Sequence, residues 1–271
     1  MARGLARYAA WLIIAILVFI TLFPLFWTLL SAFKNRVDIV TTSPVFFFTP
    51  TLDNFIYVLT RDSVQAGLMN SLIITGSAVL IGAVLGLPCA YAVARYPMAM
   101  ADDIKFFVLS MRFMPPVAIA VPLMVIWLNL GLYDSKIALI ITYSLSTLAT
   151  TVWLGIPAFA RVPREIEEAA YVDGYGPYSI FFRIAIPVAA KSLIGAIVFS
   201  FILVWNEFFI ALMLTTSDAK TLPIVASEFT LLGRDVPWGI LNASVILLSL
   251  PPLLFLGVIS GFINSTLKSR D

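Results

Sequence analysis

The sequence predicts an all-α, polytopic membrane protein with six transmembrane helices, and three observations carry that prediction. Of 271 residues, 61% are hydrophobic and only 12% charged, about half the charge fraction of an ordinary soluble domain. Mean hydropathy is +1.01. The apolar residues gather into six long, almost uncharged runs, each near the roughly 20 residues a helix needs to cross the hydrocarbon. They are continuously apolar, whereas barrel strands alternate over about 10 residues, so helices are expected.

In chain order the runs are Tyr8 to Phe33, about Met69 to Ala94, about Ile104 to Leu128, Ile137 to Phe159, about Ser192 to Leu214, and about Gly239 to Ile263. The first follows Arg3 and Arg7 in the manner of a signal peptide, but it is too long and has no clear small-x-small cleavage site. It reads as an uncleaved span. Pro115, Pro116 and Pro122 fall in the third run and must kink or interrupt it. No low-complexity tract or linker divides the chain, so a single domain over residues 1–271 is expected, with its core at about 69–263.

Positively charged residues favour the cytoplasmic side of short loops. With the N-terminus inside, ten fall inside: Arg3, Arg7, Arg95, Lys105, Arg161, Arg164, Arg183, Lys191, Lys268 and Arg270. Six fall outside, namely Lys34, Arg36, Arg61, Lys136, Lys220 and Arg234, and Arg112 lies in or at the edge of the third span. The bias predicts both termini in the cytoplasm. Two outer connections, Lys34 to Leu68 and Thr215 to Trp238, are long enough to dock a substrate-delivering protein; packing of their aromatics at headgroup level is the alternative.

Several function classes fall away on composition. Cys89 is the only cysteine and histidine is absent, so internal disulfides, Cys/His zinc sites, histidine-based triads and histidine proton relays are excluded. Cys89 reads as a small packed hydrophobe. A net charge of +2 with no basic-aromatic cluster argues against nucleic acid. The chain has no Gly-x-x-x-x-Gly-Lys-Ser/Thr phosphate loop, and Ala189-Ala190-Lys191-Ser192 lacks the glycines. The acidic pairs Asp102-Asp103 and Glu167-Glu168 read as solvated charge.

The segment from Arg164 to Lys191, within a polar connection at 161–191, is charged and broken by glycine between two apolar runs. Pro163 suits a helix start, and Glu165, Glu167 and Glu168 stand where the helix dipole favours carboxylates. Ala169 and Ala170 give a low-profile surface. Gly174 and Gly176-Pro177 then turn the chain, and a second short helix from about Tyr178 to Ile186 leads to Pro187. The expected product is a rigid elbow that presses into a soluble partner.

Glu168-Ala169-Ala170 followed by Asp173-Gly174, Phe181, Ile184 and Pro187 resembles the cytoplasmic EAA loop of the membrane subunits of ATP-binding-cassette importers. Likeness to the maltose-type permease family extends along the chain, through Pro24, Trp27, Ser31, Phe33 and Lys34, Asn70-Ser71-Leu72, Ala90-Tyr91-Ala92, Ala94-Arg95, and Trp205-Asn206-Glu207-Phe208. Tyr175 departs from a usual Ala, Lys191 from a common Pro, and Phe262 to Asp271 from the usual Gly-rich ending. The resemblance implies a type I ABC importer permease fold and a non-catalytic subunit that translocates a sugar or polyol. It implies no cofactor of its own, because ATP is bound by nucleotide-binding partner subunits. A second homologous permease and an extracytoplasmic binding protein would be the other protein partners, in a bacterial or archaeal cell membrane. By the same resemblance, Glu168, Ala169, Ala170, Asp173 and Gly174 would contact the ATPase.

Charge inside a span is costly and marks candidate function. Glu207, beside Asn206 in the fifth run, could line the substrate path and bond hydroxyls, pair with the second permease, or lie near the outer interface. Arg112 could snorkel to the inner headgroups. A secondary active transporter of a small polar solute is the alternative reading of the whole chain, but it would need buried coupling carboxylates or an inverted repeat. Glu207 is the only acidic residue inside a run.

Overall fold

The computed structural model describes residues 2–231 and 236–268, with side chains for 7–8, 10–230 and 236–259. Arg234 and Arg270, and the side chains of Arg3 and Lys268, lie outside the described residues, as do the side chains of the whole tail from Phe262 to Asp271 and the backbone of its last three residues. The elements run α1 (Ala2–Ala32), α2 (Arg36–Ile39), α3 (Asp53–Leu59), α4 (Asp62–Arg95), α5 (Ala101–Phe113), α6 (Pro116–Asn129), α7 (Lys136–Ala160) and α8 (Arg164–Val172). They continue with α9 (Pro177–Ile180), a π-helical turn (Phe181–Ala185), α10 (Ile186–Trp205), α11 (Phe209–Leu214), α12 (Leu222–Glu228), a 3₁₀ turn (Phe229–Leu231) and α13 (Trp238–Lys268). Among the described residues no strand occurs. The chain divides into two compact units, Met1–Gln65 with Val225–Leu250, and Ala66–Ile224 with Pro251–Asp271.

Among the described residues, five helical stretches are long and apolar enough to span a membrane: Ala10–Ala32, Asp62–Arg95, Lys136–Ala160, Pro177–Trp205 and Trp238–Ile259. The third expected span differs. It is two helices, α5 and α6, bent by 91°. A residue before proline is pushed out of the α region, and here two follow in sequence: Met114 before Pro115 and Pro115 before Pro116, with ψ of 119° and 128°. The fifth span is also reset. Helix runs from Pro177 to Trp205, so the expected separate helix from Tyr178 to Ile186 is the start of the span itself, and the chain breaks at Asn206 rather than continuing to Leu214. The π turn ends at Ala185, two residues before Pro187, which has no N–H to give and whose ring would clash with the preceding turn.

In the first unit, the end of α1 is tied down by Asn54, whose amide donates to the carbonyls of Ala32 and Lys34 at 2.9 Å each. Lys34 is only 1% exposed. Its ammonium sits 4.2 Å from the centre of the Trp27 ring, and burial lowers its pKa against the opposing pull of Asp38. Phe33 packs on Phe55 and Tyr57 on Phe229.

The second unit is organised by close contact between α4 and α7. A Cβ added at Gly82 would stand 2.2 Å from Thr147 Oγ1, one at Gly86 3.0 Å from Thr151 Cβ, and one at Gly155 2.8 Å from Ala90 Cβ. These positions recur every four residues on both helices, the small-xxx-small spacing that lets membrane helices approach closely. Thr147 Oγ1 uses the proximity to donate to Ala78 O at 2.7 Å. Around this seam lie Ile74, Ala78, Leu139, Tyr143, Ile210 and Leu214 toward one end, and Tyr91, Phe159, Phe181 and Leu193 toward the other. Cys89 packs as a half-buried neighbour of Val108 and Val152.

The first part of the long connection after α11 is fixed to this seam. Asn70 donates to the carbonyls of Asp218 and Lys220, and Ser71 Oγ accepts from Leu222 N. Asp134, at φ +55° in the turn before α7, accepts six bonds of 2.8–3.2 Å, from the N–H groups of Thr216, Ser217, Asp218 and Ala219 and the hydroxyls of Thr216 and Ser217. Burial alone would raise its pKa, but those donors outweigh it and hold the carboxyl well below the usual range.

Gly82→Leu is expected to lose about 1–3 kcal/mol by overpacking, read as a lower melting temperature of the purified protein. Gly76→Ala and Gly195→Ala, where an added Cβ meets nothing within 4 Å, should melt at or above the parent, since alanine is favoured over glycine in a helix. Equal melting of Gly82→Leu and the parent would contradict the close seam. For Asp134, a depressed carboxyl pKa stabilises the fold above the unfolded value of about 4 and loses that contribution as pH falls below it. Asp134→Asn should therefore cost about 2 kcal/mol at pH 7, with the gap to the parent closing only below about pH 4.

Candidate functional site

The elbow begins where Pro163, with ψ 132°, opens α8. Glu165 and Glu167 occupy its first turn, complementing the helix dipole. Its end is closed by two reversed bonds, Gly174 N to Tyr171 O at 3.1 Å and Tyr175 N to Ala170 O at 3.0 Å. That pattern needs a left-handed residue, and Gly174 supplies it at φ +85°.

Glu168, Ala169, Asp173 and Gly174 are exposed, and beside them Ile166, Tyr171, Val172 and Tyr178 offer apolar surface. Ala170 lies on the opposite, buried side, at 6% exposure. Tyr175 is 40% exposed and Lys191 exposed, so neither departure from the family pattern disturbs packing.

Glu167 is not solvated charge. One carboxylate oxygen accepts from Arg95 Nε at 3.0 Å and pairs with Arg95 Nη2 at 2.9 Å; the other accepts from Tyr91 OH at 3.0 Å. Arg95 Nη2 also donates to Val162 O at 2.6 Å, in the turn between α7 and α8. The Arg95 and Glu167 side chains are 7% and 12% exposed. Tyr91 sits among Phe159, Phe181 and Tyr96, with ring centres 5.1–6.2 Å away. An open groove of about 220 Å³ borders the cluster and is walled by Arg164, Glu168 and Tyr171. Adjacent carboxylates look alike in sequence. The available signal was that Glu167 and Ala170, three apart, share a helix face.

The expected path residues sit at the break after α10. Asn206 is exposed and its amide donates to Ile202 O at 2.8 Å. Glu207 Oε1 accepts from Ile210 N at 2.8 Å, while Oε2 accepts from Ala211 N at 3.2 Å and from the hydroxyl of Tyr143. The carboxylate thus caps α11 and keeps about one lone-pair site in reserve. Arg112 is exposed near the end of α5, with its guanidinium 5.8 Å from the Phe199 ring centre. Among the described residues no group of His, Cys, Asp and Glu is arranged to hold a metal.

Residues 82–268 match the family model of the binding-protein-dependent transport system inner membrane component. The chain belongs to that family. The permease is 32% identical to a probable ABC transporter permease protein, y4oR, of Sinorhizobium fredii, over 89% of this chain and 86% of that one. It is 28% identical to the trehalose/maltose transport system permease protein MalG of Thermococcus litoralis over 94% of each. It is 29% identical to the diacetylchitobiose uptake system permease protein NgcG of Streptomyces coelicolor over 87% of this chain and 78% of that one. Its fold is that of a chain in the crystal structure of a bacterial ABC transporter involved in alginate import, with a TM-score of 0.78, 16% identity, and 97% and 98% of the two chains covered. The MetNI methionine ABC transporter has a second such chain, with a TM-score of 0.60, 18% identity, and 75% and 95% covered. The permease is thus a multi-pass membrane component of a transport system.

Because Glu207 serves both a helix start and a buried tyrosine, Glu207→Ala should cost about 2–3 kcal/mol, from a lost cap and an unpaired hydroxyl. Tyr143→Phe removes only the hydroxyl. The double variant should be less damaging than the two single effects added together, a coupling read by thermal melting of the purified permease. Strict additivity would mean the two side chains do not interact.

Proposed function

We propose that this chain is one of two homologous permease subunits of an ATP-binding-cassette importer for a sugar or polyol. An extracytoplasmic binding protein delivers the substrate, ATP is hydrolysed by partner subunits, and the pore between the permeases alternates between outward-open and inward-open states. Both termini and the α8 elbow lie in the cytoplasm, in keeping with the bias of positive charge. Relatives named for trehalose/maltose and diacetylchitobiose support a carbohydrate substrate.

The observation that carries the reading is the elbow itself. A nine-residue helix exposes Glu168, Ala169, Tyr171 and Val172 while its other face is anchored in the fold. A short helix with exposed apolar and acidic groups on a rigid mount suits docking into a groove of a soluble subunit. Glu168, Ala169, Asp173 and Gly174 make that contact, while Ala170, on the buried face, seats the helix against the permease itself. Asn206 and Glu207 border the substrate path, where an amide and a carboxylate are suited to hydroxyl groups.

Glu168→Lys combined with Gly174→Leu tests the docking. The first reverses the exposed charge and the second forces a branched side chain into a left-handed backbone. Purified through a tag on this subunit, the double variant should remain in the membrane with its companion permease yet carry at least about tenfold less ATPase subunit, since a broken interfacial charge contact costs several kcal/mol. Full recovery of the ATPase, with normal ATP hydrolysis, would refute the proposed contact.

A further inference from the structure

We propose that Glu167, Arg95 and Tyr91 are positioning residues that make the elbow move as one body with α4. The inference rests on the reading of α8 as the ATPase contact and asks where a displacement of that helix is delivered.

Chain connectivity alone would send it to α7 and α10, the spans on either side. Neither junction is continuous α-helix. Upstream, the turn at Arg161 to Pro163 separates α7 from α8; downstream, Asp173 to Gly176 separates α8 from α9, and the helix then passes through the π turn at Phe181–Ala185. The strong lateral connection goes to α4. Arg95 is its last residue and Tyr91 stands one turn earlier, and together they engage both oxygens of Glu167. Arg95 also holds the Val162 carbonyl, so one guanidinium fixes the α7–α8 turn and the first turns of α8 at once. Charge-assisted bonds are directional and about twice as strong as neutral ones, and at this low exposure water competes little for them. Glu168, next in sequence, is left exposed. Adjacent carboxylates divide the work, one turned to the partner and one to the membrane domain.

The same three side chains are a fixed mount for α8 with respect to α4, and α4 is joined to α7 along the Gly82, Gly86 and Ala90 seam. A push on α8 therefore tilts α4 rather than bending the elbow. Removing the Glu167 charge leaves α8 attached through its backbone turns and free to rock.

The test uses the assembled complex in nanodiscs, in a Cys89→Ser background, with spin labels at Glu165→Cys on α8 and Ala99→Cys in the turn beyond α4. ATP, Mg²⁺ and vanadate are the only ligands added. With the mount intact, the interlabel distance distribution should stay single and narrow with and without nucleotide. Glu167→Gln, or Arg95→Gln, should broaden it about twofold as α8 is released to local motion, while the complex still assembles. Exchanging the pair, Arg95→Glu with Glu167→Arg, should narrow it in part, since the ion pair returns while the bond to the Val162 carbonyl does not, a rescue that mere loss of fold would not give. If Glu167→Gln does not assemble, Tyr91→Phe takes its place, removing one bond and sparing the ion pair, with a smaller broadening expected. A distribution as narrow as the parent's in whichever of these two variants is read overturns the proposal. Failure of the docking reading is separate, since it appears as retained ATPase in the Glu168→Lys, Gly174→Leu variant whatever the label widths.

Discussion

The close approach of α4 to α7 is the constraint on which the rest of the second unit depends. Two apolar helices in a membrane gain nothing from hiding their surfaces from water, so van der Waals contact and hydrogen bonds must hold them together. Gly82 and Gly86 remove the side chains that would keep the backbones apart, and Thr147 and Thr151 fill the space they leave. Thr147 adds a bond to the Ala78 carbonyl that is available only at this separation. Because the small residues repeat every four positions, the helices stay together along their length. Arg95, past the end of the seam, then comes within reach of Val162 and Glu167.

The two ends of the seam are finished differently. At one, Asp134 gathers four backbone N–H groups and two hydroxyls of the Thr216 to Ala219 turn, and Asn70 and Ser71 hold the residues that follow. At the other, Tyr91, Arg95 and Glu167 bind α8. Each arrangement satisfies backbone groups that would otherwise be unpaired at a helix end, and each uses an ionised carboxylate as a multiple acceptor. The first closes on itself. The second leaves the exposed face of its helix, with Glu168, Ala169 and Val172, open to a partner.

Glu207 belongs to the same economy of charge. A carboxylate near an apolar span is costly, and this one is offset by two N–H groups at the start of α11 and by the Tyr143 hydroxyl. Its cap lets the chain break after Trp205 and restart as α11 with the Ile210 and Ala211 N–H groups satisfied. An exposed Asn206 is left at the break. A structural duty and a place beside a substrate path are compatible there, because the carboxylate retains acceptor capacity.

The sequence by itself determined the helical membrane class, the family, and the elbow with its Gly174 turn, because uncharged run length, the Glu-Ala-Ala pattern and a left-handed glycine are local properties. It also indicated trouble in the third span, through Pro115 and Pro116. Only the tertiary structure decided that this trouble is a 91° break, since two consecutive extended residues fix a direction that composition cannot encode. Likewise, the start of the fifth span at Pro177 depends on a π turn absorbing Pro187, and a proline in sequence reads equally well as a stop. Glu167 and Glu168 are indistinguishable as letters. Which of them is held by Arg95 and which faces outward follows from the rotation of α8 about its axis, and that rotation is set by contacts with residues more than seventy positions earlier in the chain.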